Sequence, residues 1–78
     1  MEFRNLIAQV IGIDKSEVTE ETSPATEGRW TSLKQLTLIS AVEAAYNIRF
    51  TISEMKKLRK VGAFLEVLRN KGVQDVVL

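Results

Sequence analysis

Apolar residues recur at helical spacing near both ends of the chain. In the first stretch, i, i+3, i+4, i+7, i+8 spacing places one apolar stripe along a helix. The members of this stripe are Phe3, Leu6, Ile7, Val10 and Ile11. Gly12 follows it, and glycine commonly supplies the left-handed residue that ends a helix. The pattern predicts helix 1 over about residues 2–11.

A second stripe, with i, i+3, i+4, i+7 spacing, lies toward the end of the chain. It consists of Val61, Phe64, Leu65 and Leu68. Arg69 and Lys71 suit the negative end of a helix, and Gly72 is a typical stop. We expect helix 4 over about residues 61–71, followed by a short apolar tail over residues 72–78.

The helical pattern is lost between these stripes, over residues 12–31. Asp, Ser, Thr and Glu dominate this stretch, which predicts a long ordered loop with a short turn near residues 16–19. Val18 and Trp30 are its main large apolar residues, so we expect them to anchor the loop to the core.

Helix 2 is predicted over about residues 32–46. Ser32 and Gln35 have the S-x-x-Q spacing of a capping box, in which the serine oxygen accepts from the third helical amide and the glutamine reaches back. Asn47 tolerates the left-handed conformation and would end the helix. The residues expected to be buried are Leu36, Ile39, Val42 and Tyr46, with Leu33, Leu38 and Ala45 flanking them.

Thr51 and Glu54 form a T-x-x-E cap, which predicts a short helix 3 over about residues 53–59. Met55 and Leu58 should face inward, and the exposed face would be basic, with Lys56, Lys57, Arg59 and Lys60. The fold class is therefore all-α: one domain over residues 1–78, a small four-helix bundle with a long loop between helix 1 and helix 2 and a short helix 3.

Composition narrows the chemistry that this chain can perform. The 78 residues include no cysteine and no histidine, which excludes disulfides, thiolate nucleophiles, Cys/His metal sites and imidazole catalysis. No apolar run approaches the roughly 18 residues of a membrane span, and the first residues lack the pattern of a signal peptide. We expect a cytoplasmic protein that is not an enzyme and does not bind membranes.

Charge is unevenly distributed although the net charge is only +1. The charged residues within 14–27 are mostly acidic, and those within 49–71 are mostly basic. The basic cluster over residues 56–60 has no interleaved aromatic residues, and the acidic loop would oppose a polyanion, so we do not expect nucleic-acid binding.

Ser32 has two interpretations on local sequence. As an N-cap it would be purely structural, and serine is among the commonest N-cap residues. Alternatively it carries a covalent group, because the unpaired amides and positive dipole at a helix start favour an attached phosphate. The local pattern leaves both open.

Several segments, in order, resemble the acyl carrier protein family over nearly the whole chain. Residues 10–14 (V-I-G-I-D) resemble the family's L-G-[IV]-D, and residues 27–33 (E-G-R-W-T-S-L) resemble its G-x-W-D-S-L segment. The further matches are Leu36, Leu38-Ile39, Val42-Glu43, Tyr46-Asn47-Ile48, Phe50-Thr51-Ile52, Glu54, Met55, Leu58 and Val61-Gly62.

This resemblance implies that Ser32 is esterified with 4′-phosphopantetheine from coenzyme A, whose thiol carries acyl groups as thioesters in a fatty-acid, polyketide or related pathway. Expected partners are a phosphopantetheinyl transferase and the enzymes that load and process the acyl group, and a monomer is expected. The partner-facing residues would be Thr31, Leu33, Lys34, Leu36, Thr37, Leu38 and Glu43.

Two departures from the family pattern favour a specialised carrier. Thr31 replaces the usual Asp, and a neutral hydroxyl cannot make that carboxylate's charge-assisted contact with the transferase. Helix 2 has Lys34 and a single carboxylate, Glu43, where typical carriers display an acidic row. Two alternatives remain: an interaction module that is not phosphopantetheinylated, and an aminoacyl or peptidyl carrier, whose G-G-[DH]-S segment this chain resembles less.

Overall fold

The computed structural model describes residues 2–74 and 76–78. Its helices are α1 (Phe3–Ile11), α2 (Ser32–Tyr46), α3 (Ile52–Met55) and α4 (Val61–Asn70), with one turn of 3-10 helix at Lys15–Glu17. No strand occurs within the described residues. The predicted all-α, four-helix fold class is therefore confirmed.

Helix α1 buries the stripe that its spacing predicts and ends where the glycine stands. Phe3, Leu6, Ile7 and Ile11 are buried. Gly12 is left-handed at φ 86°, and the amides of Gly12 and Ile13 both donate to Ala8 O, at 2.8 and 3.1 Å. The chain folds back on the last turn of α1 and buries Ile13 in the core.

The long loop over residues 12–31 is ordered by contacts at both of its predicted anchors and by the start of α4. Val18 and Trp30 are buried, as expected. Thr22 O accepts from the Val61 amide and Glu20 O from the Gly62 amide, both at 2.9 Å, so the loop satisfies two amides that α4 itself cannot. A Cβ on Gly62 would lie 3.2 Å from Glu20 O, so this close approach favours glycine.

Helix α2 buries Ile39 and Val42, as predicted, but its other core residue differs from the prediction. Leu36 is 64% exposed and Leu38 is fully buried, so the predicted roles of these two leucines were wrong. The inward row has i, i+3, i+4, i+7 spacing: Gln35 is half-buried at its start, and Leu38, Ile39 and Val42 are buried. The spacing of apolar residues did not reveal this row, because its first residue is polar and because leucines also lie on the outward face of α2.

The link from α2 to α3 is held by side chains that bind backbone amides. Asn47 ends α2 in the left-handed conformation at φ 54°, as predicted. Glu43 Oε2 then accepts from the Phe50 amide at 2.8 Å, and Thr51 and Glu54 form the predicted reciprocal cap. Helix α3 ends at Met55, earlier than expected, because residues 56–60 bend to bury Leu58 before α4 begins.

Phe64 lies at the centre of the core and joins the separate segments. It is fully buried, and its ring centroid lies 6.4 Å from those of Phe3 and Trp30 and 6.2 Å from that of Phe50. Aromatic rings in tilted and edge-on contact stabilise the fold beyond what the burial of their surface contributes. One aromatic cluster therefore fixes α1, the end of the long loop and the segment before α3 against α4.

Part of the tail docks on this core. Val76 is buried, and Arg69 Nη2 donates to its carbonyl oxygen at 3.2 Å. Asp75, which belongs to the predicted tail, lies outside the described residues. Among the helices of the described chain, none combines the length and apolar character that crossing a membrane requires.

Replacing Glu43 by alanine should destabilise the fold, because the buried Phe50 amide would lose its acceptor. We expect a loss of about 1–3 kcal/mol in the free energy of unfolding, measured by urea denaturation. Glu66→Ala is the matched control: Glu66 is exposed on α4 and should change stability by less than about 0.5 kcal/mol. Equal effects of the two substitutions would contradict a structural role for Glu43.

Candidate functional site

Ser32 is the first residue of α2, and its neighbour Thr31 is the N-cap. Thr31 has extended backbone angles, and its Oγ1 accepts from the Lys34 amide at 3.3 Å. The predicted capping box at Ser32 and Gln35 was therefore wrong by one residue. Within the described chain Ser32 Oγ has no hydrogen-bond partner, and the residue is exposed.

The start of α2 thus leaves one hydroxyl free beside unpaired helical amides. Thr31 supplies the cap that a helix start requires, so Ser32 is not needed for it. The positive end of the α2 dipole favours a negatively charged group at this point. A phosphodiester on Ser32 Oγ fits the site without removing a hydrogen bond from the fold.

The side chain of Gln35 connects the end of the long loop to the segment that follows α3. Its Oε1 accepts from Trp30 Nε1 at 2.7 Å, and its Nε2 donates to Leu58 O at 2.8 Å. Trp30 is only 2% exposed, so its indole N–H depends on this partner inside the protein. Gln35 was predicted to close a capping box with Ser32. Instead, its side chain joins Trp30, just before Ser32, to Leu58.

Ser32 lies at the edge of an open groove with largely apolar walls. This Ser32 groove has a volume of about 370 Å³ and is lined by Pro24, Trp30, Thr31, Ser32, Gln35 and Leu36. A second groove of about 400 Å³, here called the distal groove, is lined by Pro24, Ala25, Gln35, Met55, Lys56, Leu58 and Arg59. Pro24 and Gln35 line both, so the two grooves adjoin.

The two charged side chains of α2 are engaged within the fold. Lys34 Nζ donates to Ile11 O at 2.6 Å, at the negative end of α1, and Glu43 accepts from the Phe50 amide. The outward face of α2 is consequently uncharged, and its exposed residues are Ser32, Leu33, Leu36, Thr37, Ser40, Ala44 and Ala45.

The predicted partner-facing residues separate into two groups. Thr31, Leu33, Leu36 and Thr37 are exposed on or beside the start of α2. Lys34 and Glu43 are half-buried and bound to backbone atoms, while Leu38 lies in the core. The structure therefore does not bring Leu38 to the surface with the other residues of this set.

Sequence reasoning also missed the ion pairs that order the loop ahead of Ser32. Arg29 Nε lies 2.9 Å from Glu27 Oε1, and Arg29 Nη2 lies 3.2 Å from Glu17 Oε2. Arg29 donates hydrogen bonds to the Glu27 carboxylate, which lowers the pKa of Glu27 and raises the pKa of Arg29. The available signal for this cluster was Arg29 itself, the only arginine in the loop, which stands two residues after Glu27.

A small helical bundle with an exposed serine at the start of its second helix, set beside an apolar groove, has the features of a carrier domain. The family model described as a phosphopantetheine attachment site matches residues 2–68 of this chain. The chain therefore belongs to that family, and the resemblance to acyl carrier proteins is confirmed. The cofactor of the family is a covalently attached 4′-phosphopantetheine, and carrier domains of this kind are generally not catalytic.

Because Thr31 and not Ser32 caps α2, substitutions at these two residues should differ in their effect on stability. Thr31→Ala removes the oxygen that accepts from the Lys34 amide and should lower the free energy of unfolding by about 1 kcal/mol. Ser32→Ala removes a hydroxyl without a partner and should change it by less than about 0.5 kcal/mol. Urea denaturation of both variants measures the difference, and a larger loss for Ser32→Ala would contradict Thr31 as the cap.

Proposed function

We propose that this protein is an acyl carrier that holds acyl intermediates on a 4′-phosphopantetheine arm attached to Ser32 Oγ, in a specialised fatty-acid, polyketide or related pathway. The observation that carries the proposal is the exposed hydroxyl of Ser32 at the start of α2, which has no hydrogen-bond partner among the residues that the structure describes. Membership of the phosphopantetheine attachment family supports it, because residues 2–68 include this serine.

Attachment at Ser32 is compatible with an unchanged fold. The Thr31 cap and the Gln35 bridge do not involve Ser32 Oγ, so both persist when the hydroxyl becomes a phosphodiester. The modified and unmodified proteins should then have the same helix boundaries. A carrier benefits from this arrangement because its partner surface does not depend on loading.

The attachment reaction requires a base from another protein. A P–O bond forms between Ser32 Oγ and the phosphate of the arm. The bond from that phosphate to the nucleotide part of coenzyme A breaks, the nucleotide part leaves, and the base takes the hydroxyl proton. No titratable side chain is hydrogen-bonded to Ser32 Oγ within the described residues, and the chain has no histidine. A phosphopantetheinyl transferase would supply the base, and this chain would be its substrate rather than a catalyst.

When attached, the arm supplies a thiol on which acyl groups are held as thioesters. The chain itself has no cysteine, so its own side chains offer no competing thiol. Trp30, Leu36 and Pro24 provide apolar surface next to the attachment point. These residues would hold the arm against the protein between encounters with partner enzymes.

Partner enzymes would meet an uncharged face on α2. Leu33 and Leu36 are 73% and 64% exposed on this face, beside Ser32. Because the two charged residues of α2, Lys34 and Glu43, are opposite in sign, the helix offers little long-range electrostatic attraction. This supports dedicated partners that recognise shape and apolar contact, as a specialised pathway would use.

A second candidate is an interaction module that binds a partner through α2 without modification. Thr31 favours it, because the family's usual Asp would offer the transferase a charge-assisted contact that a threonine hydroxyl lacks. The same exposed leucines would then form the binding surface. The two candidates differ in whether Ser32 accepts the arm.

Mass spectrometry distinguishes these candidates. After incubation with coenzyme A and a broad-range phosphopantetheinyl transferase, the wild-type protein should gain the mass of one phosphopantetheinyl group, and Ser32→Ala should gain none. Ser40→Ala is the matched control: Ser40 is also exposed on α2, and this variant should be modified normally. An unmodified wild type, or modification of Ser32→Ala, would contradict attachment at Ser32.

A further inference from the structure

The two adjoining grooves connect the attachment point to a pair of basic side chains. Ser32 borders the Ser32 groove, while Lys56 and Arg59 border the distal groove. Gln35 lies between them and is held in place by Trp30 and Leu58. A group tethered at Ser32 therefore has a continuous surface to follow toward these two cations.

The walls of this path change from apolar to positively charged along its length. Pro24, Trp30 and Leu36 line the beginning, and Met55 and Leu58 continue the apolar lining beside the basic pair. A surface of this kind complements a molecule with an apolar body and an anionic end. The phosphate of the arm is bonded at Ser32, so the anion at the distal end must be another group.

Lys56 and Arg59 have no carboxylate partner among the described residues, unlike two basic residues near them or later in the chain. Lys60 Nζ lies 3.4 Å from Glu21 Oε1, and Lys71 Nζ lies 2.8 Å from Glu54 Oε1. Lys57 stands between Lys56 and Arg59 in the sequence but does not line the groove. Of the basic cluster over residues 56–60, only Lys56 and Arg59 therefore line the distal groove.

We propose that the distal groove binds the free end of a loaded acyl group, and that Lys56 and Arg59 select acyl groups that end in a carboxylate. This inference rests on the proposed attachment of the arm at Ser32. Tethering keeps the acyl group at high effective concentration near the groove, so a weak contact suffices to bias where it lies.

The expected preference is modest, because Lys56 and Arg59 are exposed to solvent. Exposed ion pairs change an equilibrium by about two- to fivefold. The preference should also weaken at high salt, where screening reduces the attraction between exposed charges, while apolar contacts with the groove persist.

The test compares two cargoes that differ at the free end, which is a carboxylate in one and an uncharged methyl ester in the other. The transferase loads the protein with adipoyl-coenzyme A or with its methyl ester, and mass spectrometry verifies each product. Cleavage of each thioester by hydroxylamine is then compared with cleavage of the same thioester on free coenzyme A. We expect the adipoyl group to be protected about two- to fivefold more than the methyl ester. Amide NMR shifts of residues 55–59 should also change more with adipoyl.

Variants identify the groups responsible. The extra protection of adipoyl should disappear in a Lys56→Gln, Arg59→Gln double variant and persist in Lys57→Gln, the matched control outside the groove. Equal protection of both cargoes in the wild type would overturn the proposal, as would extra protection that persists in the double variant. Failure of loading would refute attachment at Ser32 and the cargo selection with it, whereas normal loading with equal protection would refute cargo selection alone.

Discussion

The amide group of Gln35 fixes the relation between the three segments that surround Ser32. It occupies the inward row of α2, where it accepts from Trp30 Nε1 and donates to Leu58 O. Loss of both bonds would leave buried groups without partners, at a cost of about 1–3 kcal/mol for each. With Trp30 held in this way, the next residue caps α2 and the one after it presents a free hydroxyl to solvent.

The charges of α2 serve the fold, and this determines what the helix offers to partners. Lys34 binds the last carbonyl of α1, and Glu43 holds the link that leads to α3. Their charges are opposite in sign, so α2 has no net charge with which to steer a partner at long range. The second helix thus differs from the acidic one of typical carriers, and the distal groove beside it is lined by two basic residues, Lys56 and Arg59.

Much of the fold could be predicted from the sequence because the relevant signals are local. The apolar stripe of α1, the left-handed Gly12 and Asn47 and the cap at Thr51 depend on neighbouring residues, and the structure contains all of them. The location of Ser32 at the start of α2 also followed from local pattern and family resemblance.

The errors arose where distant contacts decide the outcome. Leu38 rather than Leu36 lies in the core because Gln35 faces inward, where it bonds to Trp30 and to Leu58, far along the chain. The same bridge keeps the Gln35 side chain from reaching back to the start of α2, where Thr31 alone provides the cap. Likewise, the adjoining grooves join residues from the long loop, α2 and the end of α3, so no single stretch of sequence could reveal them.

The intact mass of the protein purified from its own cell, followed by fragmentation to locate any modification, tests the central claim most directly. Attachment of the arm predicts a phosphopantetheinyl group on the peptide that contains Ser32, with any acyl cargo measured as further mass on the same arm. A protein that is wholly unmodified in the cell, or modified only at another residue, would contradict the account.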